Sequence, residues 1–265
     1  MAFYKIQKIA LIGAGKLATN FAFTLKKKDY TILQVYNRSR EAGIKLAKEV
    51  SSSYIDDLRD LTGEADLYAL AVSDEALLEV SDQIHLKNQM IIHFSGTAET
   101  GILKKSSSNY GVLYPPQTFT FRPTAGFLNI PLCVEANNYE SAKILSAFAT
   151  TLSDKILMVS TSQRKTIHLS AIFAGNFTNF MYAIAEDLLT ANNLPMSLLE
   201  PIIEKTKANS LQKNIFSLQT GPAIREDIEM IKTHLEILSG KPEFKEIYRI
   251  ISESIINYKH HHDKL

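Results

Sequence analysis

The sequence predicts an α/β protein in two parts, a doubly wound parallel sheet followed by an all-helical domain. Three observations predict it. From Ile6 to about Met158, short apolar runs rich in Val, Ile and Leu alternate with helix-like segments, the pattern left by strands joined through crossover helices. The segment Gly13-Ala14-Gly15 stands between the first apolar run and the first helix-like stretch. From Thr161 onward strand-like runs cease, and long helical stretches are punctuated only at Asn192-Asn193-Leu194-Pro195 and Thr220-Gly221-Pro222, where turn chemistry breaks the period. The boundary is therefore placed between residues 1–159 and 160–265. A chain of 265 residues is long enough for two modest cores.

In chain order the predicted strands are KIALIG from Lys8, TILQVY from Thr31, DLYALAV from Asp66, MIIHFS from Met90, GVLYP from Gly111, IPLCVE from Ile130 and KILMVS from Lys155. The stretch from Gln163 to Thr190 reads as one long helix that is apolar on nearly every side, as expected for a helix buried in the domain or in a subunit interface. No internal repeat interrupts this order.

Composition narrows the function classes. Hydrophobic residues make up 45% and charged residues 22%, with a formal net charge of +1, so neither nucleic acid nor a membrane surface is expected as a partner. Cys133 is the single cysteine; it permits no intramolecular disulfide, reads as a buried strand residue and fits a reducing cytoplasm. Lys5 and Lys8 precede only a short apolar run, so no export is expected. No stretch approaches the roughly 20 apolar residues that cross a bilayer, since LSAIFAGNFTNFMYAIA is broken by Asn176 and Asn179. The KHHHDKL tail binds metal adventitiously at most, and no metal site is expected.

The glycine segment carries the first chemistry. In a dinucleotide-binding turn the first glycine makes the bend, the second lets backbone approach a pyrophosphate, and a third small residue packs helix on strand. Gly13, Gly15 and Ala18 have that spacing, and a helix N-terminus there would face the phosphates with its positive end. The second strand ends at Asn37, Arg38, Ser39 and Arg40, where such folds read the adenosine ribose. An acidic residue there would repel a 2′-phosphate; an amide, a hydroxyl and guanidinium groups would accept it. NADP is thus the expected cofactor, the competing reading being that these residues only cap the next helix. Val72-Ser73-Asp74 and Phe94-Ser95-Gly96 end two further strands on the edge where open sheets bind ligands. His93, inside its strand, reads as a core histidine.

On the long helix, a 100° step puts His168, Gly175 and Asn179 on one stripe, flanked by Lys165 and Asn176. Glycine in mid-helix costs about 1 kcal/mol, which points to close approach, either of a cofactor's flat end or of another helix. Hydride transfer at a carbon bearing oxygen or nitrogen needs an acid or base and groups that hold the substrate. His168 is the candidate acid or base, Lys165 a second or a solvated surface residue, and Asn176 and Asn179 orienting groups; mutual satisfaction of buried polar groups is the structural alternative. Arg225, after Thr220-Gly221-Pro222, either clamps a substrate carboxylate or phosphate or pairs with Asp227 or Glu229.

Taken together, IALIGAGKLATNFA, VYNRS, ALAVSDEAL, IIHFSGTAET, YPPQTF, HLSAIFAGNFTNFMYAIAEDLL and TGPAIRED resemble a bacterial Rossmann-like family of NADP oxidoreductases with a C-terminal helical domain of unknown function. That family is related to pyrroline-5-carboxylate reductase and 6-phosphogluconate dehydrogenase. The resemblance covers nearly the whole chain. It implies an NADP-binding Rossmann domain and a helical substrate and dimerisation domain of the 6-phosphogluconate-dehydrogenase type, commonly as a homodimer. Gly13, Ala14, Gly15, Lys16 and Leu17 would meet the pyrophosphate, and Asn37, Arg38 and Ser39 the 2′-phosphate. Val72, Ser73, Ser95 and Gly96 would lie on the nicotinamide side, and His168, Asn176 and Arg225 would face the substrate. Two departures matter: Tyr114-Pro115 stands where the family often has His-Pro, and Lys165 with Leu169 does not reproduce the helical Lys and Asn of the characterised dehydrogenases. The expected activity is NADP-dependent reduction or oxidation of a small imine, keto or hydroxy substrate; the alternative is a non-catalytic NADP-binding sensor or regulator.

Overall fold

The structure, a computed structural model, describes residues 5–121 and 126–262; the end of the histidine tail, 263–265, lies outside the described residues. Its strands are β1 (Lys8–Ile12), β2 (Thr31–Tyr36), β3 (Ser53–Ile55), β4 (Leu67–Leu70), β5 (Met90–His93), β6 (Asn109–Tyr114), β7 (Leu132–Ala136) and β8 (Ile156–Met158). Between them run α1 (Lys16–Lys27), α2 (Arg40–Glu49), α3 (Asp74–Ser81) and α4 (Tyr139–Leu152). The strand order is β3-β2-β1-β4-β5-β6-β7-β8. All neighbours are parallel except β6 and β7, which are antiparallel. The first six strands thus follow the 3-2-1-4-5-6 order of the Rossmann sheet, with its switch point between β1 and β4.

Period-two alternation divides the core between the two faces of the sheet. Ile9, Leu11, Leu67, Ala69, Met90 and Ile92 pack on one face with Phe21, Leu25 and Phe148 from α1 and α4. Ala10, Ile12, Tyr68, Leu70 and Ile91 pack on the other with Leu77 and Val80 of α3. Burial on both faces explains why these strands read as continuous apolar runs. Cys133 is buried in β7 as a free thiol. Register aligns Ile12 with Tyr36 and Leu70, and Leu70 with His93. The residues that follow those four strands therefore share one edge.

Contacts divide the chain into two compact units, Met1–Phe177 and Thr178–Leu265. The first includes α5 (Thr161–Ala171), started by a capping box in which Ser160 Oγ accepts from the Gln163 amide and Gln163 Oε1 accepts from the Ser160 amide. The second contains α6 (Thr178–Thr190), α7 (Glu200–Ser210), α8 (Pro222–Arg225), α9 (Ile228–Ile237) and α10 (Pro242–His262). Among the described residues, no helix is long and apolar enough to cross a membrane.

Three details differ from the sequence-based expectation. The edge strand β3 is only three residues long and has no run that announces it. β7 reverses direction within an otherwise parallel sheet. The expected regular helix is interrupted by a π-helical segment, Ile172–Phe177. A π turn holds about one residue more than an α turn, so the phase of the helix changes there and the stripe drawn at 100° per residue does not hold beyond it.

Candidate functional site

The site starts at the end of β1. Gly13 has φ 119°, a region that side chains disfavour, and a Cβ there would lie 2.3 Å from the Ala71 carbonyl oxygen. Glycine is required on both grounds. Its amide donates to Tyr36 O at 2.7 Å, and the Ala14 amide donates to Asn37 Oδ1 at 3.0 Å. The next residues, Gly15 and Lys16, are exposed. Among the described residues, nothing beyond its own chain neighbours lies within 4 Å of where a Cβ on Gly15 would sit. Helix α1 begins with neither an acidic residue in its first turn nor a side-chain cap, so no described side chain occupies its first amides, as an anion site needs.

Asn37 uses both ends of its amide: Oδ1 holds the glycine turn, and Nδ2 donates to Ser39 O at 2.9 Å. It is a brace between β2 and the turn. The two residues beyond it are different. Ser39 occupies the N-cap position of α2 but its side chain makes no cap hydrogen bond. Arg38 is exposed and makes no hydrogen bond or ion pair among the described residues, whereas Arg40 pairs with Asp56 at 3.0 Å.

Val72 and Ser73 follow β4, and Ser95 and Gly96 follow β5, on the same edge. The Ser95 hydroxyl is fully engaged, with two amides of its own loop and with the first residue of α3. It donates to Asp74 at 2.7 Å and accepts from the amides of Thr97 and Ala98 at 3.1 and 2.9 Å. Arg164, on α5, fixes that loop from behind. Its side chain is wholly buried; Nη1 and Nη2 donate to the Ser95 and Ala98 carbonyls, each at 2.8 Å, and Nε donates to Glu135 at 3.0 Å. Glu135 also accepts from the hydroxyls of Thr100 and Thr161. Burial pushes the Glu135 carboxyl up, but those hydrogen bonds and the Arg164 charge outweigh it and hold it below the usual range. His93 lies under the loop, fully buried, with Nδ1 accepting from the Ser95 amide at 3.1 Å. Burial first, then the nearby Arg164 charge, lowers its pKa to about 4, so the ring is neutral and its hydrogen sits on Nε2. That atom has no hydrogen-bond partner among the described residues.

His168 and Asn176 line a cleft of about 240 Å³ together with Tyr114, Gln117 and Thr118. The π-helical segment contributes Gly175 and Asn176 to the lining, and among the described residues nothing outside the helix's own nearby backbone comes within 4 Å of the position of a Cβ on Gly175. The His168 ring lies against Gly96, where a Cβ would be 2.5 Å from Nδ1. Its Nδ1 is 3.1 Å from the Tyr114 hydroxyl. Burial pushes the Tyr114 phenol up to about 12. Lys165 is not part of this lining; it forms a half-exposed ion pair with Glu99 at 2.6 Å. In the helical unit, Arg225 is exposed and has no ion pair among the described residues. Its expected partners are used elsewhere: Asp227 caps α9 through the Met230 amide and Glu229 pairs with Lys232. Sequence reading missed Arg164 and the part played by Tyr114, both of which act through contacts distant in the chain. No group of residues suited to a metal ion occurs among the described residues.

A 3-2-1-4-5-6 parallel sheet, a glycine turn at its switch point and an uncapped helix N-terminus beyond the turn define a Rossmann-type dinucleotide-binding protein. Comparison with known proteins makes this more specific. Residues 2–103 match the shikimate/quinate 5-dehydrogenase family model, and residues 130–255 match the domain of unknown function DUF2520. The solved structure of a "putative NADP oxidoreductase" from Bacteroides fragilis is 37% identical, with a TM-score of 0.88 over 97% of this chain and 100% of that one. The chain belongs to the family of that protein. Protein TM1727 of Thermotoga maritima is 21% identical (TM-score 0.72, 92% of this chain and 98% of that one). The 1-pyrroline-5-carboxylate reductase of Streptococcus pyogenes is 18% identical (TM-score 0.59, 96% and 99%). These two share the fold. No functionally curated protein matches the chain by sequence.

Proposed function

We propose that the protein is an NADP-dependent oxidoreductase acting on a small imine, keto or hydroxy substrate. Arg38 carries the reading: an exposed guanidinium without a partner among the described residues, beside an unengaged Ser39 hydroxyl, where the second Rossmann strand meets the adenosine ribose. A guanidinium and a hydroxyl there suit a 2′-phosphate. Membership of the same family as an NADP oxidoreductase supports the same cofactor.

In this reading Gly13, Ala14, Gly15, Lys16 and Leu17 hold the pyrophosphate, and Asn37 keeps the turn in shape. Val72, Ser73, Ser95 and Gly96 border the nicotinamide. When bound, NADPH would give the hydride to an imine or keto substrate, or NADP+ would take it from a hydroxy substrate, which no side chain can do. His168 gives or takes the proton at the substrate's heteroatom and Asn176 orients it; Arg225 of the helical unit, without an ion pair among the described residues, is the proposed binder of an anionic group. Lys165, held by Glu99 outside the cleft, has no part in this set. The helical part serves as substrate and dimerisation domain of the 6-phosphogluconate-dehydrogenase type. Within Thr178–Leu265, only Ala223, Ile231 and Leu238 are buried apolar residues among those described, while Phe180, Ile202, Leu211 and Ile237 are exposed. So little burial does not offset the entropy of ordering such a unit, and a second copy of the chain is the proposed cover.

The test is the affinity for NADPH against NADH, read from the emission of the reduced cofactor in a chain with no tryptophan. Arg38→Ala is expected to weaken NADPH binding roughly 10- to 100-fold, the range for a lost charge-assisted bond, and to leave NADH unchanged. Binding of neither cofactor at millimolar concentration, or an unchanged preference in the variant, overturns the reading.

A further inference from the structure

We infer that Tyr114 is a positioning residue for His168: its hydroxyl fixes the imidazole in the tautomer with hydrogen on Nε2, so that the ring presents an N–H to a ligand. The inference rests on the proposed role of the cleft, and it narrows the substrate to one that offers an acceptor lone pair, a carbonyl oxygen or an imine nitrogen.

Three observations converge on it. The Tyr114 oxygen is 3.1 Å from Nδ1 of His168, and the residue lies at the end of β6, the last parallel strand before the sheet reverses. Tyr114 is buried, its phenol keeps its proton, and it has no other acceptor among the described residues, so its hydrogen goes to the ring lone pair. A donated hydrogen bond at Nδ1 leaves the ring hydrogen on Nε2. The third observation is steric. The ring reaches Tyr114 only across Gly96, because any Cβ at that position would come within 2.5 Å of Nδ1 and 2.6 Å of Cγ. Gly96 is itself held in place by the loop that Arg164 and Ser95 secure. His168 Nε2 has no partner among the described residues, and the ring lines the cleft. A strand-end tyrosine and a loop glycine, far from the histidine in sequence, therefore set which hydrogen-bonding character it offers.

The experiment is ring nitrogen NMR on the full-length protein at a pH where imidazole is neutral, with the His168 signals identified by their loss in His168→Gln. In the unaltered protein His168 is expected almost wholly as the Nε2–H form. Tyr114→Phe keeps the ring and removes only the hydroxyl; it is expected to lower the ratio of Nε2–H to Nδ1–H about 5-fold, the effect of one ordinary hydrogen bond. Gly96→Ala pushes the ring away from an intact Tyr114 and is expected to lower the same ratio. A predominant Nδ1–H form in the unaltered protein, or ring signals untouched by Tyr114→Phe, overturns the inference. The readout needs neither cofactor nor substrate, so it fails or holds independently of the NADP reading, which stands on the cofactor-binding experiment.

Discussion

Arg164→Met is the perturbation that tests most directly how the edge loop is held. The side chain has no exposed surface and makes three hydrogen bonds of 2.8 to 3.0 Å, to Glu135 and to the carbonyls of Ser95 and Ala98. Methionine fills a similar volume but satisfies none of these groups. It leaves a largely buried carboxylate without its cation, and removing one partner of such a pair costs about 3–5 kcal/mol. At roughly 2–4 °C per kcal/mol for a chain of this size, Tm should fall by roughly 6–20 °C. The assay is thermal unfolding by far-UV circular dichroism at pH 7 and fixed protein concentration, on Arg164→Met, Glu135→Gln and the double variant. The double variant should be less destabilised than the sum of the singles, because each single strands the other's group. The sign with pH follows from the carboxyl being held low in the folded state. Its contribution is present above the unfolded value, about 4.3, and is lost as pH falls through the folded value. The difference between the unaltered protein and Arg164→Met should therefore shrink in acid. A loss below about 1 kcal/mol at pH 7, or strictly additive variants, would refute the coupling of Arg164 to Glu135 and the edge loop.

Other outcomes follow from the same structure. His93 is fully buried with a pKa lowered from 6.5 to about 4, so between those values the unfolded chain takes up a proton before the folded one does. Stability should fall over that window as pH drops, by up to about 3 kcal/mol at about 1.4 kcal/mol per pH unit. His93→Phe should flatten this limb in urea melts, and coincident acid limbs would contradict the assignment. Light scattering at micromolar concentration should give twice the mass of one chain; a monomer would remove the proposed cover for the exposed apolar residues of the helical unit.

Much of the edge that forms the site is legible in order along the chain. Gly13, Asn37, Val72 and Ser95 each follow an apolar run, and because parallel strands end in step, their sequence positions translate into one edge of the sheet. β3 is not legible because three residues on an outer edge bury too little to need an apolar run. The phase of the His168 helix is not legible because a π turn alters the period from which a face is inferred. Asn37 shows the difference at a single residue: its place was readable, but that its amide braces the glycine turn, while Arg38 has no partner among the described residues, depends on a bond between the ends of β1 and β2.

What the sequence by itself determined is local: where strands and helices begin, that position 13 must be glycine, and which residue types stand at the strand ends. Period and turn chemistry act between near neighbours and are written in consecutive residues. Only the tertiary structure decided that Arg164 secures the Ser95 loop, that Lys165 points away to Glu99, and that Tyr114 and Gly96 together seat His168. The hydrogen bonds behind those relations join groups 54 to 69 residues apart, and no local pattern encodes a contact that exists only once the sheet has brought both ends to one edge.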